Sequence, residues 1–168
     1  QLSEKELLAR LSQNDGNADM REKAFVVAAL LSEAGEIADA QGCLEEGRKS
    51  YLKALHLVLE TLAHGDAGEL PEFVPKVEML TQALQPTELP PRTQAMLMHH
   101  YEHIGEFAKA EDALFALFEA EPDRDRVVEF GTAFYQRLLG QNDDALTAGK
   151  LPRQEVEAGL AELRASKR

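Results

Sequence analysis

The stretch of sequence that decides the fold lies in the second half of the chain. Residues 97–122 read LMHHYEHIGEFAKAEDALFALFEAEP. Apolar residues recur three and four positions apart on both sides of Gly105, and this periodicity indicates an amphipathic helix on each side. Gly105 ends the first helix and Pro122 ends the second, because glycine adopts the left-handed cap conformation and proline cannot donate a backbone hydrogen bond. The stretch therefore predicts an antiparallel pair of helices.

The same periodicity extends through the rest of the chain. Most of the seven prolines and eleven glycines fall between the periodic stretches, and no segment alternates with period two. We therefore expect an all-α protein that forms a single domain over residues 1–168. Its predicted parts are an N-terminal helix and loop (1–18), a first hairpin (19–64), a single helix (69–86), a second hairpin (91–122) and C-terminal helices (123–168).

Three local signals make sharper predictions. The helix that starts near Asp19 is apolar over more than one face, so we expect it to lie between neighbours. The single helix is expected over residues 72–84, with Pro75 in its first turn, where a missing N–H costs no hydrogen bond. Residues 142–150 are expected to form a single turn plus loop.

The composition indicates a soluble globular protein. Hydrophobic residues make up 44% of the 168 residues and charged residues 29%, which excludes a disordered chain. The longest apolar run, Ala24 to Leu31, is too short to cross a bilayer. The 30 acidic residues exceed the 18 basic ones, and the net charge of −12 repels phosphate backbones. We expect neither a membrane nor a nucleic acid as a partner.

Cysteine usage and the first residues bear on the location of the protein. Cys43 is the only cysteine, which excludes an intrachain disulfide and favours a reducing compartment. No basic segment followed by an apolar stretch opens the sequence, which argues against a secretory signal in the residues shown. We therefore expect a cytoplasmic protein.

Two segments carry the spacing of a known helical repeat. In the first, the large apolar, small and aromatic positions are occupied by Leu31, Gly35, Gly47, Tyr51 and Ala54. In the second, the matching residues are Leu97, Tyr101, Gly105, Phe107, Ala110, Leu114 and Pro122. Both segments resemble the tetratricopeptide repeat, in which small residues, here Gly35 and Gly47 in the first hairpin, allow two helices to approach closely. The resemblance implies a short right-handed α-solenoid of antiparallel helix hairpins, with about eight helices.

The chain also departs from that repeat. Neither segment has Trp at the first signature position, Met98 stands where Gly35 stands in the first segment, and these two positions are 63 residues apart instead of 34. The overall order of helices, with its ending at residues 148–163, resembles an uncharacterised bacterial family with repeat-like helices. That family implies a fold and no activity.

The repeat resemblance places a set of polar residues on the inner faces of the first helices of the two hairpins, the surface on which related proteins bind peptides. The set comprises Glu36 and Asp39 in the first hairpin and Arg92, His99, Glu102 and His103 in the second. Neither helix has the Asn with which such proteins hold a peptide backbone. The predicted groove is acidic, and a basic or apolar segment would complement it.

The histidines in this set suggest an alternative function. His99 and His103 lie one helical turn apart and could chelate a metal ion such as zinc. A third ligand would have to come from elsewhere, for example His56, Glu36 or Asp39, and the spacing His-Glu-x-x-His is absent. Two ligands do not make a site, so no metal and no cofactor is assigned. A metal-binding or metal-sensing protein remains an alternative.

The sequence contains no catalytic motif that we recognise. Neither a Gly-rich phosphate-binding loop nor a Gly-x-Ser-x-Gly nucleophile turn is present. We therefore expect a non-enzymatic scaffold that binds a protein or peptide. A further alternative is a homo-oligomeric structural protein, for example a homodimer, that associates through apolar helix faces at the open ends of the stack.

Overall fold

The computed structural model describes residues 17–64, 70–120 and 124–166. Over these ranges the chain forms eight α-helices and no strand, which confirms an all-α protein. No helix in these ranges is both long and apolar enough to cross a bilayer. The predicted N-terminal helix lies outside the described residues. The helices are α1 (Asn17–Ala40), α2 (Leu44–Ala63), α3 (Val77–Ala83), α4 (Pro91–His103), α5 (Phe107–Ala120), α6 (Arg124–Leu139), α7 (Asp143–Ala148) and α8 (Arg153–Ser166).

The chain divides into two compact units, the N-terminal unit Gln1–Glu88 and the C-terminal unit Leu89–Arg168. The boundary falls in the proline-rich connection between Pro86 and Pro91. The described part of the N-terminal unit contains α1, α2 and α3, and that of the C-terminal unit contains α4 to α8. That the two units act as one domain stays a prediction.

In the N-terminal unit, α1 and α2 form the first predicted hairpin and cross closely. The turn between them contains Gly42, whose φ of +77° favours glycine. At the crossing, Gly35 of α1 faces the ring of Tyr51, and Gly47 of α2 faces the carboxylate of Asp39. A Cβ atom at either glycine would collide with that side chain. The prediction that Gly35 and Gly47 serve this crossing is confirmed.

The Tyr51 hydroxyl adds a polar contact to the crossing, because it hydrogen-bonds to the Asp39 carboxylate. Burial, together with this hydrogen bond and the negative charges of Asp39 and Glu36, raises the pKa of Tyr51 to about 12. The hydroxyl therefore stays protonated at neutral pH and can donate to the carboxylate. Asp39, which the sequence places in a binding groove, takes part in the contact between α1 and α2.

The prediction that α1 lies between neighbours is wrong within the described residues. One face of α1, which includes Phe25 and Ala28, is buried, but Leu30 and Ile37 are 59% and 58% exposed. Positions 30 and 37 are about two helical turns apart and fall on one stripe. Apolar periodicity identifies both faces of the helix, but it does not show which of them has a partner.

The helix predicted over residues 72–84 is shorter than expected. It is α3, and it begins only at Val77, because the backbone of Lys76 is extended, with φ −68° and ψ 141°. Pro75 therefore lies before the helix and not in its first turn, which corrects the prediction.

Residues 142–150 also differ from the expected turn plus loop. They contain α7, a helix of six residues. The Asn142 side chain caps this helix by accepting a hydrogen bond from the backbone N–H of Ala145 at 2.7 Å. The cap satisfies one of the backbone donors that the start of a helix leaves without a partner.

In the C-terminal unit, α4 and α5 form the second predicted hairpin, and α6 pairs with α8. Gly105, with φ +79°, lies in the turn between α4 and α5, as the sequence predicts. The α6–α8 pair is also close, because a Cβ atom at Gly159 of α8 would collide with the Tyr135 ring of α6. The Tyr135 hydroxyl donates a hydrogen bond to Glu111 Oε1 of α5 at 2.6 Å, which ties α5 to this pair.

Candidate functional site

Two side-chain contacts join α4 to α6 in the C-terminal unit, and the first is an ion pair. Glu102 of α4 accepts two hydrogen bonds from Arg137 of α6, from Nε at 2.6 Å and from Nη2 at 2.7 Å. The hydrogen bonds to Glu102 raise the pKa of Arg137. Both carboxylate oxygens of Glu102, a predicted groove residue, therefore bind a group of the same unit.

The second contact is aromatic. The ring of His99 on α4 meets the ring of Phe130 on α6 edge to face, with centroids 5.1 Å apart and an angle of 89° between the planes. Part of the His99 side chain is exposed, but partial burial lowers its pKa; Glu102 opposes this shift and Arg137 adds to it. His99 is therefore neutral at neutral pH and adds no charge to its surroundings.

A cleft of about 580 Å³ is lined by Phe130, which also contacts His99, and we call it the α4–α6 cleft. It is lined by Pro91, Arg92 and Ala95 of α4, Leu117 of α5, and Arg126, Val127, Glu129 and Phe130 of α6. Val127 and Leu117 are buried, Ala95 and Phe130 are half-buried, and the three charged side chains are exposed. The cleft thus combines apolar side chains with charges at their exposed margin.

A protein-family model matches residues 7–168 of the chain. The chain belongs to the family of unknown function DUF6483. The match extends over both compact units. No curated protein and no solved structure matches the chain. Membership of this family confirms the expected resemblance to a family without assigned activity.

The predicted groove residues fall into two groups. Arg92 lines the α4–α6 cleft, and His99 and Glu102 make the contacts between α4 and α6 described above. His103 is exposed in the last turn of α4. Glu36 and Asp39 belong to the N-terminal unit, where Glu36 is exposed and Asp39 hydrogen-bonds to a tyrosine. The C-terminal unit therefore holds four of the six predicted residues.

Of the eight residues that line the cleft, Arg92 alone belongs to the set predicted from the sequence, and Arg126 and Phe130 do not. The sequence identifies Phe130 as a core residue because it belongs to an apolar helical stripe. A usable signal was nevertheless present: Arg126 follows Arg92 by 34 residues, which is the length of one tetratricopeptide repeat. In tetratricopeptide repeats, residues separated by this interval occupy equivalent positions of consecutive repeats.

The metal alternative depends on ligands close to His99 and His103. Among the described residues, no group of three or more His, Cys, Asp or Glu side chains is arranged to hold a metal ion. His56, the histidine considered as a third ligand, is buried in α2 of the N-terminal unit. No specific observation favours this alternative over peptide binding.

Proposed function

We propose that this protein is a non-enzymatic, cytoplasmic interaction scaffold that binds a peptide segment of a partner protein in the α4–α6 cleft. The observation that carries the proposal is the cleft itself. Its volume of about 580 Å³ lies within the range of about 300–1,000 Å³ that is usual for binding sites. Its apolar residues would receive one or two bulky side chains of the partner.

The distribution of polar groups supports a peptide over a small molecule. Small-molecule sites orient their ligand with a few precisely placed polar groups inside an apolar pocket. The charged residues of the α4–α6 cleft are all exposed, and its buried lining residues are apolar. This arrangement suits an apolar anchor that enters the cleft while the rest of the peptide stays at the surface.

We further propose that the hairpins pack as tetratricopeptide-like units of an α-solenoid. The close crossing at Gly35 and Gly47 supports this packing in the N-terminal unit. In the C-terminal unit, support comes from the interval of 34 residues between Arg92 and Arg126, each in the first turn of its helix. Proteins with this repeat, which the hairpins resemble, bind peptides on the surface formed by such first helices.

A cleft-filling variant tests the proposed function. Purified protein is used to select binders from a phage-displayed library of random peptides, and the affinities of the selected peptides are then measured by fluorescence anisotropy. Ala95→Gln places a long neutral side chain in the cleft on a helix that tolerates glutamine. We expect this variant to bind the selected peptides at least about tenfold more weakly than the wild type.

Ala34→Gln makes the same chemical change at an exposed position of α1 and is the matched control. It should bind the peptides as the wild type does, and both variants should keep the helical circular dichroism signal and melting temperature of the wild type. The proposal is refuted if the library yields no enriched peptide, or if Ala95→Gln binds the enriched peptides with wild-type affinity.

A further inference from the structure

The charges around the α4–α6 cleft have the opposite balance to the chain as a whole. The chain carries 30 acidic and 18 basic residues, for a net charge of −12. The charged residues that line the cleft are two arginines, Arg92 and Arg126, and one glutamate, Glu129. The local balance is therefore positive, whereas the sequence predicts an acidic groove.

Helix orientation adds to this positive balance. Arg92 lies in the first turn of α4, and Arg126 lies in the first turn of α6. Two helix N-termini, each with the positive end of its macrodipole, therefore adjoin the cleft. Leu117 lies close to the C-terminal end of α5. The negative end of the α5 macrodipole there offsets one of the two positive helix ends. Asp125, also in the first turn of α6, opposes the positive end of that helix. The preference of the cleft for a negatively charged group therefore rests mainly on the two lining arginines.

Arginine suits such a group because its planar guanidinium binds a carboxylate through two parallel hydrogen bonds. The same unit already contains this geometry in the pair of Arg137 with Glu102. We infer that the partner segment carries Asp or Glu residues next to its apolar anchor and that Arg92 and Arg126 bind those carboxylates. This inference rests on the proposed function and adds the chemistry of the partner.

The peptide library tests this inference directly, because it contains acidic, neutral and basic sequences in known proportion. Peptides enriched by the wild-type protein should contain Asp and Glu beside an aromatic or large aliphatic residue more often than the unselected library does. The double variant R92Q/R126Q keeps much of each side-chain stem and removes both charges. It should bind the enriched peptides at least about tenfold more weakly than the wild type. Analogues of the enriched peptides in which each Glu is replaced by Gln and each Asp by Asn should bind equally to the wild type and to R92Q/R126Q.

The matched control is K49Q/K76Q, which also removes two positive charges but at exposed positions of the N-terminal unit. It should bind the enriched peptides as the wild type does. The inference is overturned, while the proposed function survives, if enriched peptides lose affinity for Ala95→Gln but show no acidic bias, or if they are basic. It is also overturned if R92Q/R126Q binds them as tightly as K49Q/K76Q does. If selection from the library enriches no peptide, the proposed function is refuted as well.

Discussion

Substitution of Gly35 by alanine is expected to destabilise the protein, although alanine is the better helix former. Gly35 lies within α1, where the backbone is helical, so a gain of about 1 kcal/mol would follow from helix propensity alone. The side chain of Tyr51 occupies the space that the new methyl group would need. Its ring is buried, and its hydroxyl is hydrogen-bonded to Asp39, so the ring cannot turn away without losing that bond.

The distances at the crossing set the size of the effect. A Cβ atom at residue 35 would lie 2.6–2.8 Å from three ring carbons of Tyr51, whereas carbon atoms pack at about 3.5–4.0 Å. The ring or one helix would have to move by nearly 1 Å. Overpacking of this kind costs about 1–3 kcal/mol. After subtraction of the propensity gain, we expect Gly35→Ala to lower the free energy of unfolding by about 1 kcal/mol.

Urea denaturation followed by circular dichroism measures this change in a double-mutant cycle with Tyr51→Leu. Because leucine removes the ring, Gly35→Ala should cost at least about 1 kcal/mol less in that background. Ala34→Gly, at the exposed neighbouring position, calibrates the propensity contribution of α1. Close packing at Gly35 would be disproved if Gly35→Ala stabilised the protein by as much as Ala34→Gly destabilised it, with no coupling to Tyr51.

Two further predictions concern the C-terminal unit. Burial raises the pKa of Glu111, so protonation of its carboxyl stabilises the folded state. This stabilisation is fully present below the unfolded-state pKa of the carboxyl. It is lost as the pH rises through the folded-state pKa. Glu111→Gln keeps an oxygen acceptor for Tyr135. In urea titrations it should gain stability relative to the wild type as the pH rises from the unfolded-state pKa of about 4.3 through the higher folded-state pKa, and a constant difference would contradict this. A double-mutant cycle of Glu102→Gln and Arg137→Gln should give a coupling energy of about 0.5–1 kcal/mol, because the Arg137 side chain is 46% exposed and that of Glu102 is 16% exposed. A coupling of zero would show that the bidentate geometry does not persist in solution.

The hairpins could be predicted from the sequence because their signals are local. Gly42 and Gly105 each follow an apolar helical stripe, and both adopt the positive φ that such a position favours. The close approach of α1 and α2 at Gly35 and Gly47 could also be predicted. The two helices are joined by a short turn, and the interval between the glycines therefore fixes the register of one helix against the other. The start of α3 could not, because the extended backbone at Lys76 has no distinctive residue pattern.

The candidate site could be predicted only in part, because it combines residues from three helices. Arg92 and His99 could be identified because the hairpin pattern defines the helix on which both lie, α4. The apolar stripe predicts Phe130 as a core residue, because periodicity does not distinguish a buried apolar residue from one that lines a cleft. The free space is lined by the small side chain of Ala95 together with Phe130 and Leu117, and composition carries no information about such space.

The opposite signs of the net charge and the cleft charge affect the step at which a partner would be selected. At physiological ionic strength the Debye length is about 8 Å, so a distant acidic peptide experiences the charge of −12 only weakly, and Arg92 and Arg126 act on it mainly within the cleft. Discrimination between acidic and neutral peptides would then arise after encounter and would appear in the dissociation rate. An acidic groove, which the repeat resemblance implies, would instead have the same sign as the whole chain, so at low ionic strength both would attract basic peptides and discrimination would also appear in the association rate. Under the proposed function, the sign of the charge at the cleft relative to that of the whole chain therefore affects the kinetic step at which a partner would be selected.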